Sequence, residues 1–167
     1  MTSANYFNVN GAPAPQAPPQ TKPINKADDA KVAKEFAEKI GADIFEIAPA
    51  EPYTKSDINW KNPVSRCNRE QMGGKDVPVA DKIDDLKQYD TVYIGFPIWY
   101  GQAPRVVYTF CKDYDWSGIT IHAFATSGGS GIGKTAEKLK KYISGAESVD
   151  AKLVRSASEL YAEYKNR

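Results

Sequence analysis

Two nearly continuous apolar runs constrain the fold of this chain more than any other feature. They are TVYIGF at 91–96 and ITIHAFAT at 119–126. Such runs are typical of strands that are covered on both faces, as in parallel sheets. Helical spacing follows each run, over 102–113 and 134–143. The alternation of strand and helix predicts a doubly wound parallel sheet with right-handed crossovers and helices on both faces.

Further elements extend the same pattern. The run at 43–48 is a short strand closed by prolines, and 148–154 is a weaker strand. A final helix would begin at Ser156 or Ser158 and reach Lys165. Residues 53–80 are polar and contain no dependable element. The clearest helix precedes Gly41, with its apolar side chains at helical spacing: Val32, Ala33, Phe36, Ala37 and Ile40.

The N-terminal segment differs in composition from the rest of the chain. Residues 11–23 contain five prolines, which favour an extended surface segment over a helix or an interior strand. We therefore divide the chain into an irregular, proline-rich segment at 1–26 and one α/β domain at 27–167.

Composition excludes several functional classes. The formal charge is +1, with 22 basic and 21 acidic residues, which does not favour binding to nucleic acid or membrane. Two cysteines and one histidine give no metal-ligand pattern, and no secretory signal or membrane-spanning run is visible. A cytoplasmic location is expected. His122 lies within a predicted strand, where a packed or hydrogen-bonded role is expected.

The loop after the first apolar run is a candidate binding element. In sheets of this kind the ligand lies beyond the carboxyl ends of the strands. There, Pro97-Ile98-Trp99-Tyr100-Gly101 brings two aromatic side chains directly off a buried strand. Planar rings suit stacking on a flat ligand, although Trp99 could equally pack beneath a neighbouring loop.

The loop after the second apolar run is rich in glycine. Residues 128–135 formally match the phosphate-binding pattern G-x-x-x-x-G-K-T. A nucleotide-triphosphate site also requires a later strand that ends in a magnesium-binding aspartate, and Asp150 lies at the wrong end of the one candidate strand. The match is therefore interpreted as a coincidence.

These motifs together resemble a bacterial flavodoxin subfamily. The resemblance rests on 95–101, on Tyr108-Thr109-Phe110, on 114–118 and on 125–133, and it runs from about Asp28 to Ser144. It implies a flavodoxin-like three-layer sandwich that binds FMN non-covalently and transfers one or two electrons. Ser65-Arg66 belongs to a stretch that also resembles the subfamily, and either contact with a substrate or bracing of the loop is open.

The resemblance implies two loops around the flavin ring. Trp99 and Tyr100 match the loop that flanks the ring, and the backbone amides of 126–133 match the loop at its polar edge. The cofactor-binding residues expected on this basis are Pro97, Ile98, Trp99, Tyr100, Gly101, Thr126, Ser127, Gly128, Gly129, Ser130 and Gly133.

The sequence departs from the family at the end that binds the phosphate. A hydrophobic first strand and a Ser-x-Thr-Gly-Asn-Thr type loop are expected, but the helix here begins near Ala27-Asp28-Asp29. Carboxylates cap a helix well but repel a phosphate. Ser3 and Asn5 are the weak remaining candidates for phosphate contacts.

The first strand, central in the family, is therefore expected to be truncated or replaced. Buried backbone groups left unpaired would cost about 1–3 kcal/mol each. Three arrangements would fill the gap. Residues 2–9 would pair with the neighbouring strands, a second copy of the chain would supply a strand, or the two neighbouring strands would pair with each other. A homodimer that compensates for the missing strand is thus more plausible than usual.

Three functions are compatible with these features. The first is an FMN-binding redox protein that transfers electrons to partner proteins or to a small acceptor. The second is a flavodoxin-fold interaction protein that has lost its flavin. The third is an FMN-dependent reductase of quinones or similar acceptors.

Overall fold

The structure, a computed structural model, describes residues 5–10, 29–126 and 131–167, and it describes 5–10 and residue 29 by their backbone alone. The strands are β1 (Asn5–Asn10), β2 (Ala42–Ile47), β3 (Thr91–Pro97), β4 (Thr120–Thr126) and β5 (Ser148–Leu153). The helices are α1 (Asp29–Ile40), α2 (Arg66–Gly73), α3 (Arg105–Lys112), α4 (Thr135–Lys140) and α5 (Ala157–Lys165), with a 3-10 turn at Leu86–Gln88.

The five strands form one sheet in the order β2-β1-β3-β4-β5. β3, β4 and β5 are parallel to one another. β1 pairs antiparallel with both β2 and β3, so β2 has the same direction as β3. The prediction of an α/β fold with a doubly wound parallel sheet is confirmed, with β1 as the one reversed strand among the described residues.

The strand between β2 and β3 departs from the simplest reading of the sequence. Residues 5–10 were assigned to an irregular segment at 1–26, but they form β1, with Asn5 opposite Ile47 and Val9 opposite Val92. β1 forms backbone hydrogen bonds with both neighbouring strands. Pairing of the N-terminal residues in this place was one of the three alternatives predicted from the sequence. The sheet of a single chain therefore does not need a strand from a second copy, and the homodimer stays a prediction. Residues 11–28 lie outside the described residues.

Helices cover both faces of the sheet. Alternate residues of β3 point to opposite faces, as the pleat requires. Val92, Ile94 and Phe96 join the core under α3 and α4. Tyr93 joins a second core with α1 and α5. These two cores make the predicted three-layer sandwich.

Gly95 is required where two strands pack closely on one face. It lies opposite Phe124 in the β3–β4 register. A Cβ atom added at Gly95 would lie 2.2 Å from Cζ of the Phe124 ring. The absence of a side chain in β3 thus makes room for a large buried ring of β4.

Most predicted elements are confirmed, with three differences. The helix predicted at 134–143 forms α4 only over Thr135–Lys140. The predicted helix at 102–113 begins only at Arg105, because Gln102 closes a turn with Trp99 and Pro104 has an extended backbone. The segment 53–80, in which no element was expected, contains α2. The Ser156 cap of α5 is confirmed by a hydrogen bond from the backbone N–H of Glu159 to Ser156 Oγ, at 3.2 Å.

His122 has the structural role expected for it. It lies on β4 in register with Tyr93 of β3 and Asp150 of β5. Its Nδ1 is 2.7 Å from Oδ2 of Asp150, which also accepts a hydrogen bond from the Arg167 guanidinium at 2.7 Å. Within the described part of the chain, no helix is long and apolar enough to cross a bilayer.

Candidate flavin site

The candidate site lies at the edge of the sheet where β3 and β4 end. Pro97 and Thr126 are the last register pair of these two strands. The ladder continues by one bond, because the backbone N–H of Ile98 donates to the Thr126 carbonyl at 3.1 Å. Pro97 and Ile98 are buried, whereas Trp99 and Tyr100 are partly exposed and Gly101 is exposed. The loop is thus anchored at its start and open at its tip.

The tip of this loop is a tight turn of four residues. The backbones of Trp99 and Gln102 exchange two hydrogen bonds, at 2.8 and 3.1 Å. The two central residues, Tyr100 and Gly101, have φ of 51° and 74°. Positive φ at both central positions is the geometry of a type I′ turn, which glycine adopts freely and tyrosine does not. Tyr100 therefore needs support from its surroundings to remain in this conformation.

Tyr100 receives that support from α2 and from the segment before it. Its hydroxyl donates to the backbone carbonyl of Trp60 at 3.2 Å and lies 3.8 Å from Sγ of Cys67. Burial, followed by the contact with Cys67, raises the pKa of Tyr100 above its ordinary value of 10.0. The hydroxyl is therefore neutral and available as a donor at physiological pH.

Gln71 of α2 forms hydrogen bonds with the backbone at both ends of the turn. This buried side chain donates from Nε2 to the carbonyls of Trp99 and Ala103, at 3.1 and 3.2 Å. Its Oε1 accepts from the backbone N–H of Arg105 at 2.9 Å. One amide group thus satisfies three backbone groups of the loop and of the first turn of α3, which restricts the positions that Trp99 can adopt.

Aromatic packing supports Trp99 from a second direction. The Tyr53 ring meets the Trp99 ring edge to face, with centroids 5.3 Å apart. The Arg66 guanidinium lies 4.2 Å from the centroid of Tyr53 and pairs with Glu70 at 2.6 Å. The Tyr53 hydroxyl donates to the same carboxylate. Burial, reinforced by the bond to Glu70, raises the pKa of Tyr53.

These contacts bear on the two roles left open for Arg66. Besides Glu70 and Tyr53, its Nη1 donates to the backbone carbonyl of Glu51 at 2.9 Å. The guanidinium is therefore engaged by Glu70 of α2 and by Tyr53 and Glu51 of the segment before α2. This arrangement favours bracing of the loop over contact with a substrate.

Thr126 is the most unusual polar residue of the site. Its side chain is fully buried, and its Oγ1 has no hydrogen-bond partner among the described residues. Leaving a buried hydroxyl without a partner costs on the order of 1–3 kcal/mol. Such a group at the ligand edge of a sheet is suited to a hydrogen bond with a bound molecule.

The second loop returns to the first. A Cβ atom added at Gly133 would lie 3.5 Å from the carbonyl oxygen of Gly101, so the two predicted ring loops approach each other. Gly133 has φ of 53°, which favours glycine at this position. Ser127, Gly128, Gly129 and Ser130 lie outside the described residues, as does Ser3, and Asn5 is described by its backbone alone. The structure thus brings together Pro97 to Gly101, Thr126 and Gly133.

Only residues 131–135 of the formal phosphate-binding pattern lie within the described residues, and their geometry does not favour a nucleotide site. The Thr135 hydroxyl is buried and donates to the Ile132 carbonyl at 2.5 Å, so the residue that would hold a metal ion is engaged in its own loop. α4, which follows, has only six residues. The structure agrees with the interpretation of this pattern as a coincidence.

Sequence reasoning missed the residues that hold the ring loop in place. Tyr53, Cys67 and Gln71 all lie in the segment 53–80, in which the sequence predicts no dependable element. The four-residue spacing of Cys67 and Gln71 places both on the buried face of α2. That spacing was the available signal, and it is weak because the helix has only eight residues.

The strand order and the position of these loops define a class of protein. The order 2-1-3-4-5, with ligands beyond the carboxyl ends of the strands near β1 and β3, is that of flavodoxin-like proteins. The family described as Flavodoxin matches this chain over residues 26–165. The protein therefore belongs to the flavodoxin family.

Solved structures agree with this assignment. A candidate flavoprotein from Bacteroides eggerthii is 34% identical with a TM-score of 0.76, and the match covers 83% of this chain and 89% of that chain. A candidate flavoprotein from Bacteroides uniformis is 33% identical with the same TM-score, over 83% and 90%. A flavoprotein from Lactobacillus acidophilus, solved in complex with FMN, shares the fold at 19% identity and a TM-score of 0.54, over 81% and 89%. Curated proteins give no match.

Proposed function

We propose that this protein binds FMN at the carboxyl ends of β3 and β4 and serves as a redox protein that transfers electrons. One observation carries the proposal: the buried Thr126 hydroxyl, which has no partner within the described residues, lies directly beside the turn that presents Trp99 and Tyr100. A flat ligand with polar atoms along one edge would meet both features at once.

The residues of the site have distinct roles in this proposal. Trp99 and Tyr100 would offer aromatic contact to the ring. Thr126 would offer a hydrogen bond to its polar edge, and Gln71 would hold the turn in place before the ligand binds. When bound, FMN supplies one- or two-electron transfer, and the surrounding protein sets the balance between its redox states.

The two phenols beside the ring loop would be neutral. The pKa values of both Tyr53 and Tyr100 are raised, so neither phenol ionises near neutral pH. The guanidinium of Arg66, the nearest cation to Tyr53, is paired with Glu70. Packing and hydrogen bonds, and not a nearby titrating group, would therefore set the reduction potential, which should vary little through these residues between pH 6 and 8.

The family assignment and the FMN complex of the Lactobacillus protein support the choice of cofactor. We further propose a cytoplasmic setting with redox partner proteins or a small electron acceptor as partners. Both cysteines are free and buried, which is compatible with a reducing compartment. Rapid turnover of a nicotinamide donor by the FMN-loaded protein would instead assign it as an FMN-dependent reductase.

The proposal is tested by titrating FMN with the full chain and following flavin fluorescence. Stacking against Trp99 should quench the emission, and quenching should saturate at one flavin per chain. A fluorescence signal that stays unchanged at protein concentrations of about 100 μM would exclude FMN as the cofactor and favour an interaction protein that has lost its flavin.

A further inference from the structure

Exposed apolar side chains concentrate around α2. Trp60, Val64 and Met72 are 65%, 65% and 66% exposed. Of the large apolar side chains in the described part of the chain, Leu153 of β5 is the other exposed one, at 37%. Single exposed apolar residues are normal, whereas a group of them on one surface marks an interaction site.

Hydrogen bonds hold the three residues on one stretch of surface. Two consecutive backbone turns, closed by hydrogen bonds of 3.0 Å each, fold residues 59–65. The Arg69 guanidinium then donates to the Val64 carbonyl and so ties these turns to α2. Met72 follows Arg69 by three positions, which makes the two side chains neighbours on the helix surface.

This surface borders the ring loop. The carbonyl of Trp60 accepts the hydrogen bond from the Tyr100 hydroxyl at 3.2 Å. Gln71, which precedes Met72, donates to the carbonyl of Trp99 at 3.1 Å. A molecule that covers Trp60 and Met72 would therefore also approach the turn that presents the aromatic pair.

The same surface is positively charged. Residues 53–75 contain five basic and two acidic residues, a net charge of +3, whereas the whole chain carries +1. One of the two acidic residues, Glu70, is paired with Arg66 at 2.6 Å. The ammonium group of Lys61 lies 5.5 Å from the centroid of the Trp60 ring, so positive charge and apolar surface are adjacent.

Charge complementarity selects the occupant of this surface. A symmetric contact between two copies of the chain would place like charges against each other, which is unfavourable. The segments outside the described residues, 1–4, 11–28 and 127–130, together carry a formal charge of +1 and contain one acidic residue, Asp28. Neither a second copy nor these segments offers the negative charge that the surface requires.

From these observations we infer that this docking patch, made of Trp60, Val64 and Met72 with Lys61 and Arg69, binds an acidic redox partner protein. Trp60 would be its apolar anchor, since large aromatic residues and arginine contribute most to interfaces of this kind. The redox character of the partner rests on the proposed function. Each electron that leaves the reduced flavin would reduce a one-electron centre of the partner.

The test compares the binding of two redox proteins of opposite charge to the FMN-loaded full chain. They are an acidic plant-type 2Fe–2S ferredoxin and a basic cytochrome c. We expect the ferredoxin to bind at least about tenfold more tightly, and its affinity to fall as the salt rises from about 20 to about 200 mM, because salt screens exposed charges. Equal affinities, tighter binding of cytochrome c, or no binding of either protein would overturn the inference.

The flavin-free chain separates this inference from the proposed function. A chain that takes up no FMN and still binds the ferredoxin would leave the docking patch standing while the proposed function fails. A chain that binds FMN and does not prefer the ferredoxin would have the opposite meaning.

Substitutions locate the contact on the chain. Lys61→Glu should weaken ferredoxin binding by about fivefold, and Trp60→Ser by about tenfold. Lys165→Glu is the matched control, because the Lys165 ammonium lies 5.0 Å from the centroid of an aromatic ring on α5, that of Tyr161. It should change the affinity by less than about twofold. Equal losses in the two lysine variants would assign the effect to net charge and overturn the docking patch.

The accessibility of Trp60 is measured without any partner. The difference in emission between the parent and Trp60→Phe isolates this residue from Trp99 and Trp116. Iodide, an anion, should quench that difference signal more strongly than caesium, because Lys61 and Arg69 attract anions to the patch. A signal that neither ion quenches would show that another part of the chain covers Trp60, and would overturn the inference.

Discussion

The Tyr100 hydroxyl donates a hydrogen bond to the backbone carbonyl of Trp60, 3.2 Å away, and so ties the turn after β3 to the segment before α2. Tyr100 has positive φ without being glycine, so this bond supports a conformation that costs of order 1 kcal/mol. The two residues are 40 positions apart in the chain. Their contact makes the ring loop dependent on a segment in which the sequence predicts no helix or strand.

Removal of that hydroxyl should loosen the turn without removing the ring. Tyr100→Phe is expected to lower the free energy of unfolding by about 1 kcal/mol, the usual net value of one hydrogen bond. Flavin affinity should fall by less than threefold, because the aromatic surface remains. Urea denaturation measures the first effect. Tyr161→Phe on α5 is the control, and an equal loss there would argue against a specific role for the Trp60 contact.

Gln71 should be the residue on which the loop depends most. Gln71→Met keeps the volume of the side chain but leaves two carbonyls and one N–H without their partner. We expect a loss of about 2–4 kcal/mol in the free energy of unfolding, since each buried unpaired group costs about 1–3 kcal/mol and the site can relax in part.

The control for Gln71 is another glutamine whose amide binds a backbone carbonyl at the surface. Gln88 Nε2 donates to the Asp85 carbonyl at 2.7 Å in an exposed position. Gln88→Met should change the free energy of unfolding by less than about 0.5 kcal/mol. Similar losses in the two variants would show that the buried position of Gln71 has no special importance.

The fold was predictable from the sequence because its strands are marked by composition. The runs at 91–96 and 119–126 are apolar throughout, and Gly41 ends α1 in a conformation that favours glycine, with φ of 66°. The direction of β1 was not predictable. A six-residue strand has the same alternation in either direction, and only tertiary pairing decides between them.

The ring loops of the site were predictable from the sequence, whereas the residues that support them were not. The aromatic pair at 99–100 and the glycines at 128–133 can be recognised in the sequence from their residue types. The supporting residues do not, because Gln71 and Tyr53 are ordinary residues in a polar segment and acquire their importance through contacts with a distant loop. The burial of the Thr126 hydroxyl, with no partner among the described residues, is likewise a property of the packed structure.

Thr126 should show opposite effects on stability and on binding. Thr126→Val replaces the buried hydroxyl, which has no partner in the described part of the chain, with a methyl group of similar size. The flavin-free protein should gain up to about 1 kcal/mol in the free energy of unfolding, because a buried polar group is removed. FMN affinity should fall by about three- to tenfold, the value of one hydrogen bond.

The matched control for Thr126 is Thr135, which is also fully buried but donates to the Ile132 carbonyl. Thr135→Val should destabilise the protein, since it breaks a formed bond. Thermal unfolding and flavin titration of both variants give the comparison. A Thr126→Val protein that is less stable and binds FMN as tightly as the parent would contradict a ligand-binding role for this hydroxyl.

His122 should make the folded state lose stability as the pH falls through about 6.5. Burial lowers the pKa of His122 below its ordinary value of 6.5, against the opposing effect of Asp150. The unfolded chain therefore takes up a proton first as the pH falls through 6.5, and the folded state loses stability with a slope of at most about 1.4 kcal/mol per pH unit.

The neighbours of His122 do not titrate in the same window. Burial raises the pKa of Asp150, but hydrogen bonds from Arg167 and His122 outweigh it and hold this pKa below 3.8. The stability that Asp150 contributes is therefore present above pH 3.8 and is lost only as the pH falls further. The His122→Gln variant should have a flatter profile of unfolding free energy between pH 5 and 7, measured by denaturation at each pH. A profile identical to that of the parent would assign the slope to other groups.

The absorption spectrum of the full chain, recorded after incubation with FMN and desalting, tests the central claim most directly. We predict that the visible flavin bands persist, shifted from those of free FMN, at one flavin per chain. A spectrum with aromatic absorption alone, together with unchanged fluorescence of added FMN, would contradict the proposal that the loops at 97–101 and 126–133 form a flavin site.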